Sequence, residues 1–350
     1  MKVQKHLLTT SFEELESFVA ATGQHGFRTR QIYEWIFRKY TVDPDQMLNI
    51  PKALRKSLTA GFIFSSSIIS AKTEAPDGTV KLLLSLADNE AVEMVLIPSG
   101  SRMTFCLSTQ VGCPVQCCFC ASGEQGLTRN LKDYEIIEQV YHGIAQIGRL
   151  PDNIVFMGIG EGLLNFENLV SALKVLTDPA RLAMSPRRIT VSTSGYVPGI
   201  KKFAALEKPF VLAVSLHAAD DATRARIIPD KLRFPVTDIL KACDYYHTKT
   251  GRMVTFEYTL LKGINDRVKD AVKLADMARR HHAKINLIPY NQTRPEYQRP
   301  VESVIFRFRD ILDENGIAVT LRLEKGTGAA AACGQLRARK LKKTAEKPGS

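Results

Sequence analysis

Residues 106–120 read Cys-Leu-Ser-Thr-Gln-Val-Gly-Cys-Pro-Val-Gln-Cys-Cys-Phe-Cys and hold five of the chain's seven cysteines. Cys113, Cys117 and Cys120 stand at C-x3-C-x2-C spacing, with Cys118 inside the motif and Cys106 ahead of it. Thiolates crowded this closely suit a soft metal better than a packed core. Iron–sulfur clusters usually take four cysteine ligands. Three at binding spacing leave one metal position open, which separates a catalytic centre from a structural one. The implied chemistry is a [4Fe-4S] cluster whose fourth iron binds a small molecule. A zinc site completed by Cys118, Cys106 or a distant His is the alternative; zinc spacings usually come as two C-x2-C pairs, and no second pair is present.

From residue 103 onward, strand-like and helix-like segments alternate. Apolar strand candidates are 103–108, 153–158, 188–193, 210–216, 252–259 and 284–289, with 318–323 after the last helix. Between them lie amphipathic stretches such as 134–147, where Ile137, Val140, Tyr141, Ile144 and Ile147 recur at helical spacing. Repeated βα units of this kind predict an α/β fold with parallel strands and helical crossovers, closed or partly closed. Such barrels carry their sites on the loops after the strands, and the unusual residues obey that rule. Gly158-Ile159-Gly160-Glu161, Ser192-Thr193-Ser194-Gly195, Ser215-Leu216-His217 and Tyr290-Asn291 each follow or end a strand candidate. Glycines at 158 and 160 let backbone approach a ligand, and Glu161 can accept from an ammonium. Ser192, Ser215 and Asn291 offer neutral hydrogen bonds suited to a ribose, a carboxylate or an adenine edge. His217 fits a satisfied structural imidazole as well as a ligand.

Upstream, residues 11–60 read as a small helical module. Ser11 is placed to cap a helix carrying Phe12, Leu15 and Phe18, Thr29 to cap a second through Ile32, Trp35 and Ile36, and Pro51 to open a third around Leu54. Residues 79–86 and 91–97 form a β-hairpin around Ala-Asp-Asn-Glu. Within it Glu93 is a carboxylate in an apolar strand, and alternation alone allows it to face outward. Cys333 lies far from the other cysteines among small residues; on its own it fits a buried thiol better than a nucleophile.

The 350 residues suffice for one large domain plus a small one. No run of about 18 apolar residues suggests a membrane span, and Met-Lys-Val-Gln-Lys-His lacks the apolar region of a secretory signal. Clustered cysteines, odd in number, argue against a disulfide framework and for a reducing, cytoplasmic setting. The net charge is +12. Residues 334–350 hold six Lys/Arg against one Glu, and the first sixty hold nine against six acidic side chains. A basic balance fits nucleic acid as a partner and fits a solvated basic surface equally.

The cysteine spacing, with Phe119 before the last thiol, resembles the radical S-adenosylmethionine (SAM) superfamily. An ordered set of motifs narrows the resemblance to the RlmN/Cfr methyltransferases. These are Val92-Glu93 before Ile97-Pro98, Cys106 seven residues ahead of Cys113, Gly126-Leu127-Thr128-Arg129-Asn130-Leu131, and Met157-Gly158-Ile159-Gly160-Glu161 with Leu163-Leu164-Asn165. Ser192 to Gly195, Ser215 to His217, Asn286 to Asn291 and Ala-Ala-Cys-Gly-Gln-Leu at 331–336 complete it. The resemblance runs from about residue 12 to 336. It implies a partial (β/α)6 TIM-like barrel of the radical SAM type over 99–333, with a helical RNA-contacting domain at 1–60, a hairpin linker at 61–98 and a basic tail at 334–350.

It also implies a function: methylation of C2 of an adenine in 23S rRNA, with tRNA as a further candidate substrate. Cys113, Cys117 and Cys120 would hold the [4Fe-4S] cluster. Gly160, Glu161, Ser192, Ser215, Leu216, His217 and Asn291 would hold SAM. One SAM would methylate Cys333, and a second would yield the 5′-deoxyadenosyl radical that activates that methyl for addition to the adenine ring. Glu93 would act as general base, and Cys106 would release the product through a transient disulfide with Cys333. A flavodoxin or ferredoxin would supply electrons, and the enzyme would be a monomer with no membrane partner. Gly162, and Lys325-Gly326-Thr327-Gly328-Ala329, depart from the family pattern, and Cys118 is incidental to it. A Cfr-like C8 methyltransferase is the rival enzyme, told apart by mass spectrometry of the nucleoside. A basic, zinc-stabilised RNA-binding protein is the rival non-enzyme, which iron in an anaerobically prepared sample would exclude.

Overall fold

A computed structural model describes residues 4–322, 331 and 334–336. Cys333, the segment 325–329 and the basic residues from 337 onward lie outside the described residues. The chain starts with a short strand β1 (Lys5–His6) and three helices, α1 (Phe12–Ala21), α2 (Phe27–Phe37) and α3 (Lys52–Gly61), then β2 (Phe62–Ile63), which pairs with β1 in parallel. Ser11 caps α1 as expected: its hydroxyl accepts from Glu14 N, and the Glu14 carboxylate accepts from Ser11 N in return. Thr29 does not cap α2. The helix begins two residues earlier at Phe27, so Thr29 sits in its first turn with its side chain buried.

Ten strands then form one mixed sheet. An antiparallel end is made of β3 (Ser67–Glu74), β4 (Val80–Leu86), β5 (Ala91–Ser99) and β6 (Arg102–Cys106). The expected hairpin is β4–β5, with Val80 opposite Leu96 and Leu83 opposite Glu93. From β6 the sheet continues in parallel through β9 (Asn153–Phe156), β10 (Ile189–Thr193), β11 (Val211–Ser215), β12 (Val254–Leu260), β13 (Ala283–Pro289) and β14 (Val319–Leu321). β7 (Gln110–Gly112) and β8 (Leu127–Asn130) form a separate two-stranded piece. Helices α4 (Asp133–Ile147), α5 (Phe166–Thr177), α6 (Val197–Ala204), the short α7 (Asp221–Ala225), α8 (Val236–Thr250), α9 (Val268–Arg280) and α10 (Glu302–Glu314) make the crossovers. This is the expected α/β arrangement of parallel strands with helical crossovers. Among the described residues the sheet stays open, with β3 and β14 as its edges.

Side-chain alternation along the parallel strands sorts the interior. On β12, Val254, Phe256, Tyr258 and Leu260 join the apolar core, whereas Thr255, Glu257 and Thr259 line cavities on the other face. The same phase puts Phe105, Ile154, Val191 and Leu212 in the core and Thr104, Val155, Ser192 and Ser215 on the inner face. That core is continuous with the N-terminal helices, taking in Leu15, Ile32, Ile36, Leu54 and Leu58. No helix among the described residues is long and apolar enough to cross a membrane.

Close packing of α4 on β6 positions the strand that feeds the cysteine loop. A Cβ at Gly143 would lie 2.4 Å from the ring of the fully buried Phe105. Gly143→Ala is therefore expected to cost about 1–3 kcal/mol through overpacking, read as a lower urea midpoint, and Phe105→Leu in the same chain should recover part of it. An unchanged midpoint would mean that the ring turns aside freely.

Candidate active site

The loop from β6 carries the cysteines and is held at its base by the β7–β8 pair and by Cys113 N donating to Gly126 O at 2.9 Å. Beyond it, Val115 and Phe119 are buried with Ile227, Ile228, Leu261 and Tyr290. Phe119 packs edge-on against His217 at 5.0 Å, and its carbonyl accepts from Thr293 Oγ1. The far end of the chain fastens the loop: Ala121 N donates to Gly334 O at 2.8 Å and Ser122 Oγ to Leu336 O at 2.8 Å.

A cavity of about 150 Å³ opens at this rim. Cys113, Cys117 and Cys120 stand in its wall with Gly160, Glu161, Ser192, Ser215, His217 and Asn291. Cys118 is not part of that wall; its sulfur faces Arg226 O, and Tyr297 bonds to it. Burial pushes the Cys113 thiol up to about 12 and the Cys117 thiol well above its ordinary value. A metal must therefore displace their protons on binding. No three Cys, His or carboxylate groups among the described residues are arranged to hold a single metal ion, whereas a cluster distributes its thiolates over several irons.

Glu161 is fully buried, which raises its pKa, although Ser194 N (2.6 Å) and Leu163 N (3.2 Å) donate to its carboxylate. Its main-chain N donates to Gln110 Oε1 at 2.8 Å, which places it against the cysteine segment. The space left by Gly160, at φ +113°, is taken by protein as well as facing the cavity. A Cβ there would lie 2.7 Å from Gln110 Cβ, so the glycine lets the β9 loop close on the cysteine segment. His217 reconciles its two readings. Thr259 N donates to Nδ1 at 3.1 Å, burial holds its pKa down to about 3, and the ring still lines the cavity. It is therefore neutral, with Nε2–H left to donate. Leu216 does not line the cavity: its side chain is buried in the core, its N donates to Glu257 O at 3.1 Å, and its carbonyl accepts from Arg224.

Glu93 is buried rather than outward-facing, with Lys81 Nζ 3.1 Å from its carboxylate, and its carbonyl accepts from Ser108 Oγ at 2.6 Å. Cys106 is buried opposite Val95 and shares a small apolar cluster with Ile159, Ala331 and Leu336. Neither Glu93 nor Cys106 lines the cavity around the three cysteines.

Sequence reasoning missed Arg224. It is fully buried, and its guanidinium donates to the carbonyls of Ser194, Ser215 and Leu216, tying the loops after β10 and β11 together. Burial lowers its pKa to about 10. The one available signal was an arginine a short helix away from Ser215-Leu216-His217. Asn165 acts similarly: its amide donates to Thr109 O and Leu131 O, which accounts for the Leu-Leu-Asn motif.

Arg224→Met should deprive two buried carbonyls and a part-buried one of this donor and cost about 3 kcal/mol or more, measured by chemical unfolding. Arg224→Lys should recover only part, because an ammonium cannot span the fork that a guanidinium fills. Full recovery with lysine would reduce Arg224 to a point charge.

Residues 107–275 match the Radical SAM superfamily, and residues 5–63 match the ribosomal RNA large subunit methyltransferase N-terminal domain. A probable dual-specificity RNA methyltransferase RlmN of Synechococcus elongatus is 43% identical over 339 residues, 95% of this chain and 93% of the relative. That of Akkermansia muciniphila is 43% identical over 344 residues, 95% of this chain and 96% of its own. The crystal structure of a radical SAM methyltransferase from Sphaerobacter thermophilus superposes with a TM-score of 0.91 at 40% identity, covering 96% of this chain and 100% of that one. Three thiols on the wall of one cavity, with a buried carboxylate beside them, suit the [4Fe-4S] cluster and SAM of that superfamily. The chain belongs to the RlmN family of radical SAM methyltransferases.

Proposed function

We propose that this chain methylates C2 of an adenine in 23S rRNA, with tRNA as a second substrate, by way of a methyl group carried on Cys333. The observation that carries this reading is the assembly at the rim. Cys113, Cys117 and Cys120 face Glu161, Ser192, Ser215, His217 and Asn291 across one cavity, while residues 334 and 336 are bonded to the cysteine loop. Cys113, Cys117 and Cys120 hold the cluster. Gly160, Glu161, Ser192, Ser215, His217 and Asn291, with the main chain of Leu216, hold SAM. When bound, these cofactors supply the methyl group and the radical chemistry that an electrophilic ring carbon requires.

The chain's own residues do the rest. Cys333 presents the methyl as a thioether. Glu93, buried against Lys81, takes the proton from the ring carbon. The Cys106 thiolate attacks the Cys333 sulfur, so that a disulfide forms as the carbon–sulfur bond breaks; the bonding pair leaves with the carbon, which takes up a proton to become the product methyl. Ala331 and Leu336, on either side of Cys333 in sequence, pack in the same apolar cluster as Cys106, which supports that pairing.

Residues 1–60 serve as the RNA-contacting domain, and 61–98 join it through a hairpin to the core at 99–333. Exposed Arg30, Lys39, Lys52 and Lys56, with the basic residues of 334–350, contact phosphates without reading sequence. The enzyme works as a cytoplasmic monomer, reduced by a flavodoxin or ferredoxin.

Anaerobically reconstituted enzyme should convert adenosine to 2-methyladenosine in rRNA, read by mass spectrometry of digested nucleosides. 8-Methyladenosine would move the reading to the C8 rival, and unmodified RNA would contradict it. In the same preparations Cys113→Ala, Cys117→Ala and Cys120→Ala should each lose iron while Cys118→Ala keeps it. Iron loss in Cys118→Ala with retention in any of the other three would reverse the ligand assignment.

A further inference from the structure

Among the described residues two buried carboxylates line the cavity, Glu161 and Glu257, and only Glu161 has been given a role. The second, Glu257, is 3% exposed on β12, with Ser215 of β11 and Asn286 of β13 as its direct sheet partners. Its Oε1 accepts from Asn286 Nδ2 at 2.8 Å; its Oε2 is buried with no hydrogen-bond partner among the described residues. A buried carboxylate oxygen left unpaired is costly, so the fold retains it at the expense of stability.

Its surroundings indicate what the oxygen serves. A second cavity of about 300 Å³ lies on the same inner face, and Met157, Glu257 and Arg322 line both spaces. Asn286 lines only this second cavity and Ser215 only the first. Oε1 is therefore tied to a strand residue that faces the second cavity, while Glu257 itself stands in the wall of the first beside Ser215. An occupant bearing both an ammonium and ribose hydroxyls offers donors suited to each of the two carboxylates. Glu161 stands at the cysteine end, where its main-chain N donates to Gln110 Oε1 of the cysteine segment at 2.8 Å, and that end suits the amino-acid part of the ligand.

We propose that Glu257 accepts hydrogen bonds from the ribose hydroxyls of SAM, beside Ser215. A carboxylate accepting from ribose hydroxyls is a recurring solution in nucleotide sites. This inference rests on the SAM-site reading above and adds a residue that the motifs did not indicate.

Cluster-loaded enzyme is titrated anaerobically with three probes: S-adenosylhomocysteine, its 2′,3′-dideoxy analogue, and 5′-methylthioadenosine. The last keeps ribose and adenine but lacks the amino-acid end. The wild-type protein should favour S-adenosylhomocysteine over the dideoxy analogue by roughly tenfold or more, the scale of a hydrogen bond to a charged group. Glu257→Ala should weaken S-adenosylhomocysteine and methylthioadenosine by the same factor and lose the preference for hydroxyls. Glu257→Gln keeps the size and the bond from Asn286; with iron content and circular dichroism like the wild type, it should lose part of the preference, which separates recognition from misfolding. An unchanged preference in both variants overturns the proposal. So does weakening of S-adenosylhomocysteine alone, which would put the ammonium on Glu257. Failure of the wild-type protein to bind S-adenosylhomocysteine and methylthioadenosine overturns the SAM-site reading itself, and this proposal with it.

Discussion

The phase of side-chain alternation along the parallel strands is the constraint on which the rest of the molecule depends. Each strand sends its large apolar residues outward under the helices and its small or polar residues inward. A slip of one residue in any strand would exchange these sets, burying Ser192 or Glu257 beneath a helix and opening Val191 or Phe256 to the cavity. Burial of the outward set fixes the register strongly, and the inner polar lining comes with it. The chemistry at the rim thus inherits its geometry from hydrophobic packing some distance away.

Loops at the strand ends cannot rely on that register, and they are tied by polar groups instead. Arg224 gathers carbonyls from two loops, Asn165 bridges Thr109 and Leu131, and Glu161 accepts from the loop after β10. Arg129 joins α4 to the β4–β5 turn through Glu135 and Asp88. Each of these groups is useful only when all its partners are present, because a half-satisfied buried network is worse than an apolar one. This interdependence keeps the cavity wall in place before any ligand binds, a form of preorganisation that enzymes exploit.

Much of this was legible in the chain. The C-x3-C-x2-C run, the seven parallel strands and the polar residues at their ends all follow from local spacing and alternation. What escaped depends on contacts between distant segments. Arg224 looks like any surface arginine of a short helix until the loops of β10 and β11 meet over it. Glu93 could be read as outward-facing because alternation does not say which face a neighbouring segment covers. Gly160 suggested room for a ligand, but part of that room belongs to the cysteine segment. Thr29 obeyed a capping rule that Phe27 pre-empted by starting α2 early.

The central claim is that the methyl group reaches RNA through a cysteine of this chain rather than directly from SAM. The most direct measurement supplies SAM with a fully deuterated methyl group, CD3, and weighs the methyladenosine formed in RNA. A carrier thioether that surrenders one hydrogen before bonding to the ring must deliver a methyl retaining two of the three deuterium atoms, and product of that mass is expected. Product retaining all three would show intact transfer and contradict the account.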